Sequence, residues 1–199
     1  MNNTNIILEF KERATFVSAV IHDADTVEDA FRITISLCQG NRVLVAPELE
    51  IAMYQHLDRL CKENNVTLIK NDLRKYSSKI EVGLTFADFG IAETGTIVLN
   101  SDSEDKRLST MISQTHVAML YKSKIRTTAL DMAEELASLT SKPSSYTAFI
   151  TGPSRTADIE RVLAIGVHGP LELHIILLED TAHNFPEIAQ KSHQIVEEQ

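Results

Sequence analysis

The sequence has 199 residues, of which 43% are hydrophobic and 24% charged, so we expect one domain with a substantial core. Acidic residues outnumber basic ones by 28 to 19, and the net charge of -9 argues against nucleic acid as a partner. The first residues lack the basic start and apolar stretch of a secretory signal, and no run is long enough for a membrane span, so a cytoplasmic location is expected.

Two amphipathic helices are predicted at the start of the chain. In the first, between Asn5 and Ala24, the apolar residues that recur at three- or four-residue steps are Phe10, Ala14, Val17 and Ile21. Thr26 followed by Asp29 is typical of the start of the second helix, and Gly40 suits the position just past its end. Residues 1–40 are therefore expected to pack on, or flank, the main domain.

Strands alternate with helices in the next part of the chain. Residues 42–46 and 66–69 are short apolar runs, and the amphipathic stretch between them carries Pro47, which suits a helix start. This alternation predicts an α/β fold with a Rossmann-like, mostly parallel sheet and helices on both faces.

The middle of the chain, residues 82–99, has no helical period. Two short extended runs flank Thr94-Gly95 and predict a hairpin or a sharp bend. Asp88 and Glu93 interrupt this apolar stretch, which makes them candidates for partly buried carboxylates with a partner such as Arg155. The alternative, equally open, is that Glu93 lies at the tip of an exposed hairpin in which Gly95 supplies a positive φ angle.

Strand and helix alternation then resumes. Residues 117–121 form a predicted buried strand, and residues 125–139 carry the stripe of a helix. Residues 146–150 predict a further strand, and residues 173–178 a last one that closes the sheet. The α/β domain is thus expected to span residues 41–180, followed by a polar tail or helix at 181–199.

A turn after the strand at 146–150 is the first candidate site. Gly152 permits close backbone approach, Ser154 and Thr156 offer hydroxyl groups, and the guanidinium of Arg155 suits a carboxylate or phosphate. In open α/β sheets ligands bind beyond the carboxyl ends of the strands, where this turn is expected. The simpler interpretation is that Thr156 only caps a short helix that follows.

The remaining titratable residues give weaker signals. His168, in the loop before the last strand, suits a general acid or base, although a structural hydrogen bond is the simpler interpretation. The other histidines show no paired spacing, so no metal site is expected. Cys38 and Cys61 are each alone in an amphipathic stretch, and two thiols are too few for an iron–sulfur cluster. Neither a Walker loop nor a dinucleotide glycine fingerprint is present.

Three segments carry a resemblance to a known family. They are Ala87-Asp88 through Ala92-Glu93-Thr94-Gly95-Thr96, then Gly152 through Glu160, then Gly166-Val167-His168-Gly169-Pro170. In this order they resemble the signature of the lactate-utilisation protein C family, over roughly residues 42–179. One departure is the acidic loop from Asp102 to Arg107, which lacks the family's glycines, although Arg107 could still contact an anion.

The resemblance implies both a fold and a role. The fold would be similar to the CoA-transferase and ribose-5-phosphate isomerase-like superfamily. The role would be that of an accessory subunit in a cytoplasmic system that oxidises L-lactate to pyruvate. No cofactor would be bound by this chain, because the iron–sulfur clusters would belong to partner subunits, one iron–sulfur and one cysteine-rich. A homodimer is compatible with this role.

A different class of function remains open. A free-standing enzyme or ligand-binding protein would act on a small carboxylate, a CoA thioester or a sugar phosphate, and a ligand-sensing domain is a third alternative. Glu93 would be the catalytic nucleophile or base, with His168 as the alternative. The anion would be held by Thr94, Gly95, Thr96, Gly152, Ser154, Arg155 and Thr156. The resemblance predicts that these segments meet in one composite pocket.

Overall fold

A computed structural model of the chain describes residues 3–38, 43–76, 80–141, 145–156, 164–165 and 169–180. In chain order the helices and strands are α1 (Asn3–Phe16), β1 (Val20–Ala24), α2 (Val27–Leu37), β2 (Val43–Val45), α3 (Ile51–Glu63), β3 (Thr67–Ile69), β4 (Val82–Phe86), β5 (Phe89–Ile91), β6 (Thr96–Asn100), α4 (Glu104–Ile112), β7 (Thr115–Tyr121), β8 (Ile125–Arg126), α5 (Ala133–Leu139), β9 (Thr147–Ile150), β10 (Arg155–Thr156), β11 (Ala164–Ile165) and β12 (Glu172–Leu178). Short 3-10 helices are formed by Leu73–Tyr76, Ala92–Thr94, Lys122–Lys124 and Leu130–Met132.

A six-stranded sheet forms the centre of the fold, in the order β1-β12-β7-β4-β2-β3. Every neighbouring pair in it is parallel. The inner strands β7 and β12 are almost wholly buried and mostly apolar, as expected for a parallel sheet covered on both faces. The predicted α/β class with a mostly parallel, Rossmann-like sheet is confirmed.

One face of this sheet is covered by α2 and α3. Their buried residues, among them Phe31 and Leu57, pack on side chains such as Leu84 and Met119 of the central strands. The sequence specifies this layer directly, because α2 begins with the predicted capping box, in which Thr26 and Asp29 each bind the other's backbone.

The opposite face is covered by α1, α4 and a second, smaller sheet. That sheet has four strands in the order β8-β5-β6-β9, with β6 antiparallel to both β5 and β9. Phe10 of α1 lies fully buried between it and residues such as Leu120 and Ile175 of the large sheet. The hairpin predicted around Thr94-Gly95 is confirmed as β5 and β6, with Gly95 at φ +64°.

Several element predictions were wrong. The first helix ends at Phe16 rather than continuing to Ala24, because residues 20–24 pair in register with β12 as the edge strand β1. For the same reason β12 lies inside the sheet and does not close it. The helix expected from Pro47 begins at Ile51. Only residues 133–139 of the helix predicted over 125–139 form an α-helix, after β8 and a 3-10 turn.

Some predictions fall outside the described residues. These are the helix end at Gly40, the short helix around residues 159–163, His168, and the tail at 181–199. The division into regions 1–40, 41–180 and 181–199 stays a prediction. No helix in the described ranges combines the length and apolar character needed to cross a membrane.

Candidate functional site

A cavity of about 290 Å³ lies between α4, the end of β9 and the starts of β7 and β12. Its volume is at the small end of the range for ligand pockets, about 300–1,000 Å³. Part of the wall is apolar, with Met111, Phe149 and Leu173 among its residues. The polar part of the wall is formed by Ser101, Arg107, Thr110, His116, Thr151 and Ser154.

Two of the predicted segments meet at this cavity. The backbone N–H of Ser154 donates to the carbonyl oxygen of Pro170 at 2.9 Å. A Cβ on Gly169 would lie only 2.9 Å from the Cβ of Ser154, so the two turns are in close contact. Gly152 and Ser154 both belong to the cavity wall. The structure therefore brings the Gly152–Arg155 turn beside the Gly169-Pro170 turn, as predicted.

The threonines of the β5–β6 connection join the same neighbourhood through hydroxyl groups. The Oγ1 atoms of Thr94 and Thr96 are 2.7 Å apart, and those of Thr96 and Thr151 are also 2.7 Å apart. Thr151 is itself part of the cavity wall. A chain of three hydroxyls thus links the Thr94–Thr96 segment to the cavity.

Gly95 and Gly152 both pack closely against the backbone at the end of α1. A Cβ on Gly95 would lie 2.3 Å from the backbone nitrogen of Ala14, and one on Gly152 would lie 2.2 Å from the carbonyl oxygen of Val17. Both glycines also have positive φ angles, +64° and +72°. Glycine is required at both positions because any side chain would collide with the backbone of the α1 terminus.

Arg155 binds the same α1 terminus and not an acidic partner. Its Nη2 donates to the carbonyl oxygen of Val17 at 2.6 Å and to Oγ of Ser18 at 2.5 Å. Within the described ranges it forms no ion pair with Asp88 or Glu93, so the pairing expected from the sequence was wrong.

The two carboxylates accept from backbone amides instead. Asp88 is partly buried and accepts from the N–H of Asn100 at 2.6 Å. Glu93 is exposed, which agrees with the hairpin-tip alternative rather than with partial burial, and it accepts from the N–H of Ala129 at 3.0 Å. Each carboxylate thus has a nearby backbone N–H as its donor, which removes the need for a distant cation. Neither Glu93 nor Arg155 belongs to the cavity wall.

Thr156 lies in a two-residue strand. It pairs with Ala164 through β10 and β11, and the residues between them lie outside the described ranges. Both of its proposed roles, anion contact and helix cap, stay predictions.

The cavity is not at the carboxyl ends of the parallel strands, where the sequence predicted a site. The reason is that β9 belongs to the second sheet and runs antiparallel to β6, so its end points toward the starts of β7 and β12. A different cavity, of about 240 Å³, does lie at the carboxyl ends, beside Glu48, Glu50, Phe86 and Tyr121. Burial, followed by the nearby charges of Glu50 and Asp180, raises the pKa of the Tyr121 phenol. The wall of this second cavity carries Glu48 and Glu50, and this acidic wall does not suit an anion.

A family model described as the LUD domain matches residues 7–178. The chain belongs to the LUD domain family. It is 32% identical over 171 residues to a "Lactate utilization protein C" of Bacillus subtilis, a match that covers 79% of this chain and 71% of that protein. The resemblance to the lactate-utilisation protein C family is thereby confirmed.

Two further matches differ from this one, the first in being shorter and the second in having a lower sequence identity. A "Lactate utilization protein C" of Macrococcus caseolyticus is 34% identical over 107 residues, which are 52% of this chain and 46% of that relative, about half its length. The crystal structure of a DUF162 family protein from Deinococcus radiodurans matches with a TM-score of 0.62 at 19% identity, and covers 89% of this chain and 99% of that one. This last likeness concerns the fold alone.

Three polar residues of the LUD domain cavity, namely His116, Ser101 and Arg107, were not predicted as a set. His116 is 1% exposed, and its Nε2 lies 2.9 Å from Oγ1 of Thr85, whereas Nδ1 has no hydrogen-bond partner in the described part of the chain. Burial lowers the pKa of the His116 imidazole to about 4, so the ring is neutral at neutral pH. Ser101 is also 1% exposed, and its Oγ has no partner in those ranges.

Arg107 is the cation of the cavity wall. Its Nη1 donates to the carbonyl oxygens of Ser101 and Asp102 at 2.6 and 2.8 Å, and its guanidinium lies 5.9 Å from the centre of the Tyr146 ring. Ser103 caps α4 by accepting from the N–H of Lys106, which fixes the helix turn that carries Arg107. The sequence signal for His116 is a histidine directly before the apolar run 117–121, and Arg107 is expected from the sequence only as an anion contact that an atypical acidic loop could still provide.

No cluster of three or more histidine, cysteine or acidic residues that could bind an ion occurs in the described ranges. Cys38 and Cys61 are buried and form no disulfide. Burial, together with Cys38 and Asp58, raises the pKa of the Cys61 thiol to about 12, so this thiol stays protonated.

Proposed function

We propose that this protein is a lactate-utilisation protein C-like subunit, an accessory component of a cytoplasmic complex that oxidises L-lactate to pyruvate. The observation that carries the proposal is the match to the Bacillus subtilis relative over 79% of this chain. That relative is named for lactate utilisation, and the present chain would have the same role.

The thiols support a subunit without a redox centre of its own. A thiolate is the form that binds iron or exchanges disulfides, and the Cys61 thiol, with a pKa of about 12, does not supply one. The full sequence has only two cysteines, whereas an iron–sulfur cluster is held by about four thiolates. Iron–sulfur and cysteine-rich partner subunits would therefore carry the clusters.

Lactate-dependent reduction of a dye tests this proposal. The purified protein alone should give no rate above the buffer control, and the two partner subunits should reach their full rate only when it is added. Dye reduction by this protein alone would refute the accessory role. Full activity of the partners without it would refute membership of the complex.

The cavity favours a second candidate function, namely ligand binding or enzymatic action on a small carboxylate, a CoA thioester or a sugar phosphate. The cavity wall combines an arginine, a neutral histidine and two serines with apolar side chains, which is typical of small-molecule sites. Because Glu93 does not belong to this wall, ligand binding is better supported than covalent catalysis by Glu93.

A thermal-shift screen separates the second candidate from the first. A ligand present at about one hundred times its Kd should add about 2.7 kcal/mol to the free energy of unfolding. The screen would contain organic acids, CoA esters and sugar phosphates. No shift with any of them would count against the second candidate and leave the accessory role untouched.

A further inference from the structure

We propose that the cavity between α4, β9 and the starts of β7 and β12 binds a monocarboxylate with an apolar body and a second hydrogen-bonding group. The carboxylate would bind Arg107, the second polar group would bind Nδ1 of His116 with help from Ser101, and the apolar body would lie against Met111 and Phe149. This inference deepens the second candidate function and rests on it, but it does not depend on the lactate complex.

The buried imidazole of His116 is the first argument. A buried nitrogen without a hydrogen bond costs about 1–3 kcal/mol, so native proteins rarely retain one without a use. His116 is held by Thr85 through Nε2, which leaves Nδ1 unpartnered in the described ranges. Because the ring is neutral, its free nitrogen makes one hydrogen bond and contributes no charge. A hydroxyl group, which both donates and accepts, suits it in either tautomer.

The second argument is the charge and placement of Arg107. Two backbone carbonyls hold one of its terminal nitrogens, and no carboxylate pairs with it in the part of the chain that the structure describes. A guanidinium held in this way is prepared to form paired hydrogen bonds with a carboxylate. Because Arg107 is the one cationic side chain in the described wall, a single negative charge is the better match than a phosphate dianion.

The third argument is the apolar character of the cavity mouth. Three large side chains of the wall are exposed although they are apolar or aromatic, namely Met111 (55%), Tyr146 (55%) and Phe149 (52%). Apolar groups gathered at a pocket indicate a binding site more than scattered ones do. An apolar or aromatic body on the ligand would cover them, which a molecule as small as lactate cannot do.

Calorimetric titration with four matched probes at neutral pH tests the ligand class. The complete probe is 3-phenyllactate, which has a carboxylate, a hydroxyl group and an aromatic body. We expect 3-phenylpropionate, without the hydroxyl, to bind about fivefold more weakly, as for the loss of one neutral hydrogen bond. The methyl ester, without the charge, and L-lactate, without the aromatic body, should each bind at least about tenfold more weakly. No heat from any probe up to about 10 mM would overturn the proposal.

Variants of Arg107 test the carboxylate contact. Arg107→Gln should weaken 3-phenyllactate at least about tenfold and leave the methyl ester unchanged, and Arg107→Lys should restore part of the difference. Arg74→Gln is the matched control, because Arg74 is an exposed arginine paired with Glu104 outside the cavity. Thermal unfolding of each variant checks that it is folded. Equal affinity of the wild type and Arg107→Gln for 3-phenyllactate would overturn the assignment.

Variants of His116 test the second contact. The amide of asparagine approximates the position of Nδ1, and that of glutamine approximates Nε2, the atom that faces Thr85. His116→Asn should therefore keep the preference for 3-phenyllactate over 3-phenylpropionate, and His116→Gln should lose it. If both variants keep the preference, His116 is not the contact.

The outcomes also separate this inference from the function on which it rests. Binding of 3-phenyllactate that is insensitive to both Arg107 and His116 would leave ligand binding standing and remove this site. Absence of any ligand-induced shift in the wider screen would remove both. The dye-reduction assay decides the accessory role independently of either result.

Discussion

Gly95 illustrates how a single residue serves both fold and candidate site. Its φ of +64° lets the chain turn from β5 into β6, and its missing side chain makes room for the backbone of α1. The sequence predicted the turn and the positive φ, because a glycine between two short extended runs is typical of a hairpin. The contact with Ala14 could not be predicted, since nothing in the sequence pairs a turn with a helix about eighty residues earlier.

Replacement of Gly95 by alanine should destabilise the protein strongly. The left-handed backbone costs an L-residue about 1–2 kcal/mol, and the overlap with Ala14 adds about 1–3 kcal/mol, so we expect Gly95→Ala to lower the free energy of unfolding by more than about 2 kcal/mol. Urea denaturation measures this loss. Asn65→Ala is the matched control, because Asn65 is exposed at φ +57° and should lose only about 1 kcal/mol. Equal losses would show that the predicted overlap is absent.

His116 should make the stability depend on pH in a defined window. The pKa of His116 is about 4 in the folded protein, below the ordinary value of 6.5. Between these two pH values the imidazole is therefore protonated in the unfolded chain and neutral in the folded one. The free energy of unfolding should therefore fall as the pH drops from about 6.5 to about 4, by up to about 3 kcal/mol from this group. Above about pH 6.5 the contribution of His116 to the free energy of unfolding is fully present.

The measurement is a series of urea denaturations at fixed pH values, compared between the wild type and His116→Asn. The variant should have the shallower dependence, because its side chain does not titrate. His22 contributes in the same direction, since burial and His174 lower its pKa, but it is present in both proteins and cancels in the comparison. Identical pH profiles would contradict the assignment to His116.

At the scale of elements, α1 connects the two sheets. It packs on the Ala92–Thr94 turn and on β1, and Phe10 lies between the small sheet and the large one. The helix period of residues 5–14 predicted this element correctly, whereas the continuation to Ala24 failed. The segment that begins with Val20 and Ile21 pairs in register with β12. Strand pairing in a buried sheet overrides the weak helical period of these residues.

Two phenylalanines of α1 allow a matched test of its role. Phe10 is fully buried and Phe16 is 84% exposed. Phe10→Ala should lower the free energy of unfolding by about 3–5 kcal/mol, because it removes a core side chain and leaves a cavity. Phe16→Ala should change it by less than about 0.5 kcal/mol. Thermal or urea unfolding of both variants gives the comparison, and a small effect of Phe10→Ala would show that α1 does not hold the sheets together.

At the scale of the whole molecule, clusters of buried apolar residues cover both faces of the parallel sheet. Cys61 lies within the layer formed by α2 and α3 and is 1% exposed. Its thiol has a raised pKa of about 12 and is enclosed by packed side chains, so it can react only when this layer opens.

Modification of Cys61 by a thiol reagent should therefore follow unfolding of the domain. In native buffer at neutral pH we expect a rate at least about a hundredfold below that in denaturant, as read by mass spectrometry of the peptide that contains Cys61. Ser36→Cys supplies an exposed thiol on α2 as an internal standard. Equally fast labelling of residues 36 and 61 in native buffer would contradict the packing of this layer.

The sequence by itself determined the α/β class, most of the strands, the hairpin at Gly95 and the family. These features depend on local periodicity, on turn chemistry and on motifs whose residues are close together in the chain. The tertiary structure decided that residues 20–24 become an edge strand, that β9 joins a second sheet, and that Arg155 binds the end of α1. It also decided that His116, Arg107 and Ser154 form one wall, because only the crossing of two sheets brings together residues that local patterns cannot relate.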